Sequence, residues 1–540
     1  MPTKFIFVIG GVMSGVGKGA STASLGRVLA SKGFQVTAMK IDPYINVDAG
    51  TMNPIEHGEV FVTIDGDETD QDMGNYERFL DEDITRENYM TTGRVYQSVI
   101  NRERNMEYGG KCVQVVPHVP EEVIRRIDYV AQTKKVDFVL IEIGGTVGEY
   151  ENILFLEALR MMKSRDPNSV RTILVSYLPV PPSIGEMKTK PTQHAVREAG
   201  RTGVTPDFIV CRSEETIDLP RREKLAQFCG VPANHIIAAA NVSSIYKIPQ
   251  IFDEQGFGDS LLASFGMKSP KSRLKEWSTL TNAIERATEE VTIGVIGKYF
   301  ATGDFVLPDV YLSVLEAIKH ASWSLGRKPV ISWLNSEDYE QDPSKLDELK
   351  NLDGILIPGG FGTRGIEGKI LAIQYAREHK IPYFGICYGM QCAVIEYARN
   401  VLGMSEANTV EMNPKANNPV IHLMENQQEN VDQGKLGGTL RLGTYPCNLA
   451  PKTVTARAYG VQQIHERHRH RYEFNNDYRE TLEKAGLVVS GESPDGQLVE
   501  IVEISDHPFF VGVQFHPEFQ SRPLRPHPLF TAFVQAAIEK

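Results

Sequence analysis

Cysteine is scarce in this chain, six in 540 residues, at positions 112, 211, 229, 387, 392 and 447. No two form a C-x-x-C pair, so spacing suggests neither a zinc site nor a disulfide framework. A reducing cytoplasm is the expected compartment. Long apolar runs are missing as well. Nothing approaches the ~20 residues of a membrane span, and FIFVIG near the N-terminus is too short for a signal h-region. No membrane partner is expected. Positive charge is in deficit, 57 Lys and Arg against 69 Asp and Glu, for a net charge of −12. A general nucleic-acid binder would carry a basic footprint, so nucleic acid is not an expected partner. Local basic pockets for nucleotide phosphates are still open.

What is present is a globular composition, 41% apolar and 23% charged, in a chain too long for one ordinary core. Short, nearly continuous apolar runs predict parallel strands buried on both faces. In the first half they are Lys4–Gly10, Gln35–Ile41, Val136–Ile143, Thr172–Leu178, Asp207–Cys211 and Ile236–Ala240, with helical stretches such as Ala20–Ser31 and Glu121–Lys134 between them. The text turns polar and lysine-rich over Met267–Glu290. A second series follows with VTIGVIG, KPVISWL, LDGILIPGG and IPYFGIC. Two doubly wound α/β domains are the economical reading, 1–266 and 291–540, joined by a partly helical connector at 267–290.

GGVMSGVGKG, Gly10 to Gly19, is a glycine loop between a strand and a helix. Backbone N–H groups of such a turn attract phosphate oxygens, and Lys18 adds a point charge. The usual G-x-x-x-x-G-K-[ST] loop ends in a hydroxyl that helps hold Mg²⁺; Gly19 lacks it. Hard Mg²⁺ prefers carboxylate, water and phosphate oxygens. Glu142 stands at a strand's C-terminal end beside a second glycine turn, Gly144-Gly145, where open α/β sheets bind ligands. Asp72 ends an acidic run, DGDETDQD, and spacing alone does not single it out. That run is not a calcium loop, since its sixth residue from Asp65 is Asp70 and its twelfth is Tyr76. A solvated loop is the expectation for most of it. Lys40 and Asp42 follow a strand, and Lys188 and Lys190 form a compact cationic turn suited to a polyphosphate or simply to the surface.

IPYFGICYGMQ carries G-x-C-x-G, the thiol counterpart of a nucleophile elbow. A helix N-terminus and a histidine would both favour the thiolate of Cys387. His516 and Glu518 in VGVQFHPEF could supply the base and its orienting acid. Gly359-Gly360-Phe361-Gly362 could offer oxyanion donors. Cys211, Cys229 and Cys392 read as inert core thiols. The basic HERHRHR run, His465–Arg471, reads as a local anion pocket or a solvated strand.

PGGFG, GICYGMQ and FHPEF resemble the class I glutamine amidotransferase (flavodoxin-like) domain. GGVMSGVGKG, MKIDPYINVDAGTMNPIEHGEVFV, IEIGGTVGEYE, GEMKTKPTQH and SSIYKIP resemble the P-loop amidoligase domain of the CTP synthase family. The resemblance covers nearly the whole length. It implies conversion of UTP to CTP with ATP and glutamine, through a 4-phosphorylated UTP, with ammonia carried along an enclosed path between domains. It implies Mg²⁺ on Asp72 and Glu142. ATP would meet Gly15, Val16, Gly17, Lys18, Gly19, Ala20, Lys40, Asp72 and Val242, with Asn241 near the adenine. UTP or CTP would meet Ser14, Glu149, Tyr150, Glu151, Lys188, Thr189, Lys190, Pro191, Thr192, Gln193 and Lys224. Glutamine would lie among Gly360, Tyr388, Gly389, Met390, Gln391, Glu411 and Arg471, around Cys387, His516 and Glu518. CTP feedback, GTP activation and a homotetramer are implied likewise.

Three departures stand out. Tyr388 takes the place of a leucine in the family's usual GICLGMQ. Ala240-Asn241-Val242 replaces Lys-Asp-Val, and Ala301–Phe305 is a short insertion. Two rivals remain. One is another ATP-dependent glutamine-hydrolysing amidoligase, which KTKPTQ and DPYIN weigh against. The other is a nucleotide switch of the partition-ATPase type, which an intact Cys387, His516 and Glu518 set weighs against.

Overall fold

The apolar runs of the first half become strands shielded on both faces, as a parallel sheet requires. The computed structural model describes residues 2–298, 301–302, 305–306, 308–424, 427–434 and 437–540. The first compact unit comprises Met1–Ala49 and Asp72–Thr281. Its strands are β1 (Lys4–Gly10), β2 (Val36–Asp42), β3 (Tyr89–Thr91), β4 (Phe138–Ile143), β5 (Val170–Tyr177), β6 (Phe208–Ser213) and β7 (Ile236–Ala240). They form one sheet in the order β3-β2-β4-β1-β5-β6-β7, every pair parallel. Phe7, Ile9, Met39, Ile41, Val139 and Ile141 pack on helices of one face. Helix α1 (Lys18–Ser31) packs on the sheet as well. Only the three-residue edge strand β3 lacks a signal in the sequence.

The second unit comprises Asn282–Lys540 together with Gly50–Gln71. Its main sheet uses β8 (Glu290–Gly297), β9 (Lys328–Asn335), β10 (Gly354–Ile357), β11 (Tyr383–Ile386), β12 (Arg441–Leu449), β13 (Gln463–His470), β14 (Leu487–Glu492), β15 (Val499–Ile504) and β16 (Phe510–Val513). The order is β9-β8-β10-β11-β16-β15-β14-β12-β13. The pairs from β9 to β16 are parallel and those beyond are antiparallel. The apolar runs predict the parallel half up to β11. The antiparallel strands carry buried polar side chains and leave no such run.

Two boundaries differ from the division at 1–266 and 291–540. Gly50–Gln71 belongs with the second unit, where Phe61–Val62 and Glu68–Thr69 form a short hairpin. The acidic run is therefore not a solvated loop throughout, since Glu68 is buried and ion-paired to Arg469 at 2.8 Å. The stretch 267–290 carries the helix Lys275–Arg286, and its part up to Thr281 belongs with the first unit. Trp277, on the helix Lys275–Arg286, is buried in the first unit against Phe79 and Tyr246 and donates to the Tyr246 carbonyl at 2.6 Å. The units divide between Thr281 and Asn282. Within the Ala301–Phe305 insertion, Gly303 and Asp304 lie outside the described residues.

Candidate active sites

The glycine loop joins β1 to α1. Gly15 and Gly17 both hold positive φ, 68° and 85°, in the left-handed region that favours glycine. Gly17 caps α1, so the helix opens with the N–H groups of Lys18 and its successors. Ser14 and Gly15 are exposed at the loop tip, while Val16 and Lys18 are buried. Lys18 Nζ donates to the Gly145 carbonyl at 2.8 Å, which joins the two glycine turns. Burial lowers the Lys18 pKa, against the pull of Glu142.

Gly19 explains its own lack of a side chain. A Cβ placed there would overlap Asp72 Oδ1. Asp72 opens helix α2 (Asp72–Leu80), so a carboxylate from another element fills the space a Ser or Thr would take. Lys40, on β2, bonds Asp72 and lies 3.2 Å from Glu142 Oε1 and 3.8 Å from Asp42 Oδ1. Tyr76 donates its hydroxyl to Glu142 Oε2. Burial raises the carboxyls of Asp42, to about 6, and of Glu142. Burial pushes Asp72 the same way, but Lys40 outweighs it and holds that carboxyl below its ordinary value. The donor set suits Mg²⁺: hard carboxylate oxygens beside a phosphate loop whose hydroxyl position is taken by one of them. Spacing could not have separated Asp72 from its neighbours, whereas Tyr76 left no signal at all.

The remaining predicted nucleotide contacts are spread over several loops of this unit. Gly17, Ala20, Asn241 and Val242 line one cavity with Arg212, whose guanidinium donates to Asn241 Oδ1 at 3.2 Å. Glu149 turns back to accept from the Thr146 N–H at 2.9 Å, while Tyr150, 90% exposed, and Glu151 face outward. Thr189 caps helix α3 (Lys190–Arg201), with Pro191 in its first turn. Thr192 is tied to Ser176 at 2.8 Å and Gln193 to Thr189 at 3.2 Å. Lys188 pairs with Glu186, and Lys190 and Lys224 are exposed.

In the second unit Cys387 follows β11 and caps helix α4 (Tyr388–Asn400) at φ 50°, a strained value for a residue with a side chain. A Cβ on Gly385 would come within 2.8 Å of the Gly389 backbone, so the elbow needs its first glycine. Cys387 is the N-cap of α4, so the helix's first backbone N–H groups follow it directly in the chain. His516, just past β16, hydrogen-bonds Cys387, and its Nδ1 meets Glu518 Oε1 at 2.7 Å. Burial alone would lower the His516 pKa, but the Glu518 carboxylate and then the Cys387 sulfur outweigh it and carry it up to about 10. A Cβ on Gly359 would lie 2.8 Å from His516 Cε1 and 3.7 Å from Cys387 Cβ. That glycine lets the 359–362 turn close on Cys387. Burial instead pushes the Cys392 thiol up to about 11, as an inert thiol requires.

Gly360, Glu411 and Arg471 line the cavity that holds Cys387. Gly389 and Met390 are buried in helix α4, Met390 within an apolar core, and Gln391 donates to the Tyr472 carbonyl and to Gln514. Gln514 in turn donates to the Cys387 sulfur at 3.6 Å; adjacency to FHPEF was its only sequence signal. The basic run is strand β13, not a solvated one. Its His468 and His470 are buried and held neutral, chiefly by burial. The other wall of the cavity comes from Gly50, Met52, Pro54, Glu59 and Val60, a contribution invisible from the position of these residues in the chain.

A family profile described as CTP synthase N-terminus matches residues 4–267, and one described as glutamine amidotransferase class-I matches 306–536. The CTP synthase of Carboxydothermus hydrogenoformans is 52% identical over 99% of both chains. That of Herpetosiphon aurantiacus is 50% identical over 100% of this chain and 99% of its own. A solved glutaminase domain of Trypanosoma brucei CTPS shares 39% identity, covering 46% of this chain and 94% of that one at a TM-score of 0.42. No described helix is long and apolar enough to cross a membrane.

Proposed function

The chain belongs to the CTP synthase family, glutamine-dependent ligases, and from that premise we propose the residues and steps by which it turns UTP into CTP. The observation that carries the reading is the pairing of two sites in one chain. One is a phosphate loop completed by Asp72, and the other is a cysteine elbow completed by His516 and Glu518.

In the first unit the loop Gly15 to Ala20 and Lys18 bind the ATP phosphates, and Asn241 and Val242 lie toward the adenine. Asp72 and Glu142 would hold Mg²⁺, which neutralises and orients the triphosphate when bound. Lys40, next to both, meets charge developing on the transferred phosphoryl group. The 4-oxygen of uracil is a poor leaving group. Phosphoryl transfer to it makes a good one, ammonia attacks C4, and phosphate departs. Lys188 to Gln193 and Lys224, with Ser14 and Glu149 to Glu151, form the pyrimidine-nucleotide site.

In the second unit Cys387 attacks the glutamine amide carbon, and the oxyanion is met by backbone N–H groups of Gly360 and of the start of α4. His516 gives its proton to the leaving ammonia, and water then hydrolyses the thioester to glutamate. Arg471 and Glu411 hold the substrate's α-carboxylate and α-ammonium ends. CTP as feedback inhibitor, GTP as activator, a homotetramer and a cytoplasmic location belong to the same reading. CTP shares the triphosphate pocket with a shifted base. Uracil O4 accepts where cytosine N4 donates, and one group facing both would leave a polar atom unpaired at about 1–3 kcal/mol.

The test is chromatographic detection of CTP from UTP, ATP and Mg²⁺, with glutamine or ammonium chloride, for wild type and Cys387→Ala. CTP from both nitrogen sources in wild type, and from ammonium alone in the variant, is expected. Glutamine hydrolysis without CTP from either source would point to another amidoligase.

A further inference from the structure

Tyr388 is the residue after Cys387, and it is not among the residues that line the cavity holding Cys387. It is 2% exposed, and its hydroxyl donates to the Gly362 carbonyl at 2.9 Å. That carbonyl ends the Gly359–Gly362 turn, whose first residue packs against both His516 and Cys387. Lys298 Nζ also reaches this turn, bonding the Phe361 carbonyl and the Gly362 carbonyl, the latter at 3.1 Å. From the other side the Gly362 N–H donates to Glu411 Oε1 at 2.8 Å. Two lysines lie over the Tyr388 ring, Lys369 Nζ at 5.1 Å and Lys298 Nζ at 5.6 Å from its centroid. Lys369 is fully buried, and among the described residues its Nζ has no hydrogen-bond partner. Burial pushes the Lys369 pKa down, and the ring face is the contact that favours its charged form. The ring is thus packed beside two lysine side chains, and its hydroxyl is bonded to the Gly362 carbonyl.

The consequence is geometric. A glycine-rich turn has many backbone conformations open to it, and an oxyanion donor is useful only when it points at the position the oxygen will occupy. We propose that Tyr388 is a positioning residue of the glutaminase, fixing through its hydroxyl the Gly359–Gly362 turn. Its backbone N–H opens the helix beside Cys387, so one residue ties the two sides of the oxyanion site together. A leucine at this position could neither donate to Gly362 nor present a π face to Lys369. This rests on the glutaminase reading above, and the experiment separates the two.

Tyr388→Phe keeps the ring beside the lysines and deletes only the hydroxyl. Its glutaminase kcat is expected to fall about tenfold with KM within about twofold, as for a donor displaced from the transition state alone. Affinity for glutamate γ-semialdehyde, which forms a tetrahedral adduct on a cysteine, should fall by a similar factor. Affinity for glutamate, which forms none, should hold. Ammonia-dependent CTP formation and the melting temperature should match wild type. Tyr388→Leu, which also strips the ring from Lys369, should lose at least as much kcat. An unchanged kcat in Tyr388→Phe, a raised KM at constant kcat, or a parallel loss of ammonia-dependent activity would each overturn the proposal. Absence of glutaminase activity in wild type would instead strike the reading beneath it.

Discussion

At the scale of single residues, the decisive position in the first unit is one that has no side chain. Asp72 occupies the space in front of Gly19, so restoring the hydroxyl of an ordinary phosphate loop is expected to harm rather than help. Gly19→Ser should cut CTP formation from glutamine and from ammonia alike by about tenfold or more, through misplaced phosphate and carboxylate. Glutamine hydrolysis should be spared, which a paired assay of glutamate and CTP would check. In the second unit the charge on His516 depends on Glu518. With the carboxylate gone, burial prevails and the imidazole pKa drops from about 10. Glu518→Gln should therefore move the alkaline limb of kcat/KM for glutamine hydrolysis to lower pH, and a limb that stays put would refute the assignment of His516 as the acid. The sign for stability is the same. A histidine raised in the fold contributes fully below its unfolded value of about 6.5 and loses that contribution as pH climbs toward 10. Cys387, His516 and Glu518 were legible because each sits in a short motif with a mechanical reason. Asp72 was reached through the family resemblance and not through spacing, and Gln514 was not singled out, because what selects each is a neighbour distant in sequence.

Among the elements, parallel strands were the most readable, since burial on both faces writes a continuous apolar run. Strand β13 shows the converse. Its sequence, QIHERHRH, has Ile464 as its one apolar residue, yet most of it is buried because Glu466 meets His527, Arg467 donates to the Val62 carbonyl and Arg469 meets Glu68. Arg469 is one of these, bonded to Glu68 of the hairpin at 2.8 Å and lying over the Phe361 ring at 5.1 Å. Arg469→Ala would leave Glu68 buried without its cation, at a cost of about 3–5 kcal/mol. Glu68→Ala with Arg469→Ala should cost less than the sum of the single changes, a coupling that urea unfolding of the four-member cycle would measure. Additive losses would mean that the hairpin is held by its backbone and by Phe61 on Phe519, 5.0 Å apart, and not by the ion pair.

On the scale of the whole molecule, the chain passes from one compact unit to the other three times, after Ala49, after Gln71 and after Thr281. Each unit nevertheless has apolar cores of its own. The third passage was legible to within the connector, because composition shifts there. The first two were not, because GTMNPIEHGEVFV reads continuously with the DPYIN segment before it. Separate cores mean that a ligand bound to one unit stabilises that unit first, by about 2.7 kcal/mol at a hundred times its dissociation constant. The double passage through Gly50–Gln71 works against this independence, because unfolding the first unit frees both ends of a segment that walls the second unit's cavity. The segment is anchored by Glu59, which accepts from the Ser313 N–H at 3.0 Å, and by the Arg469 ion pair, so the local anchors should prevail. Calorimetry of Cys387→Ala should then show Mg·ATP raising one transition and glutamine, bound but not hydrolysed, raising another. A single transition that both ligands raise equally would mean that the passages through Gly50–Gln71 make the two cores unfold as one.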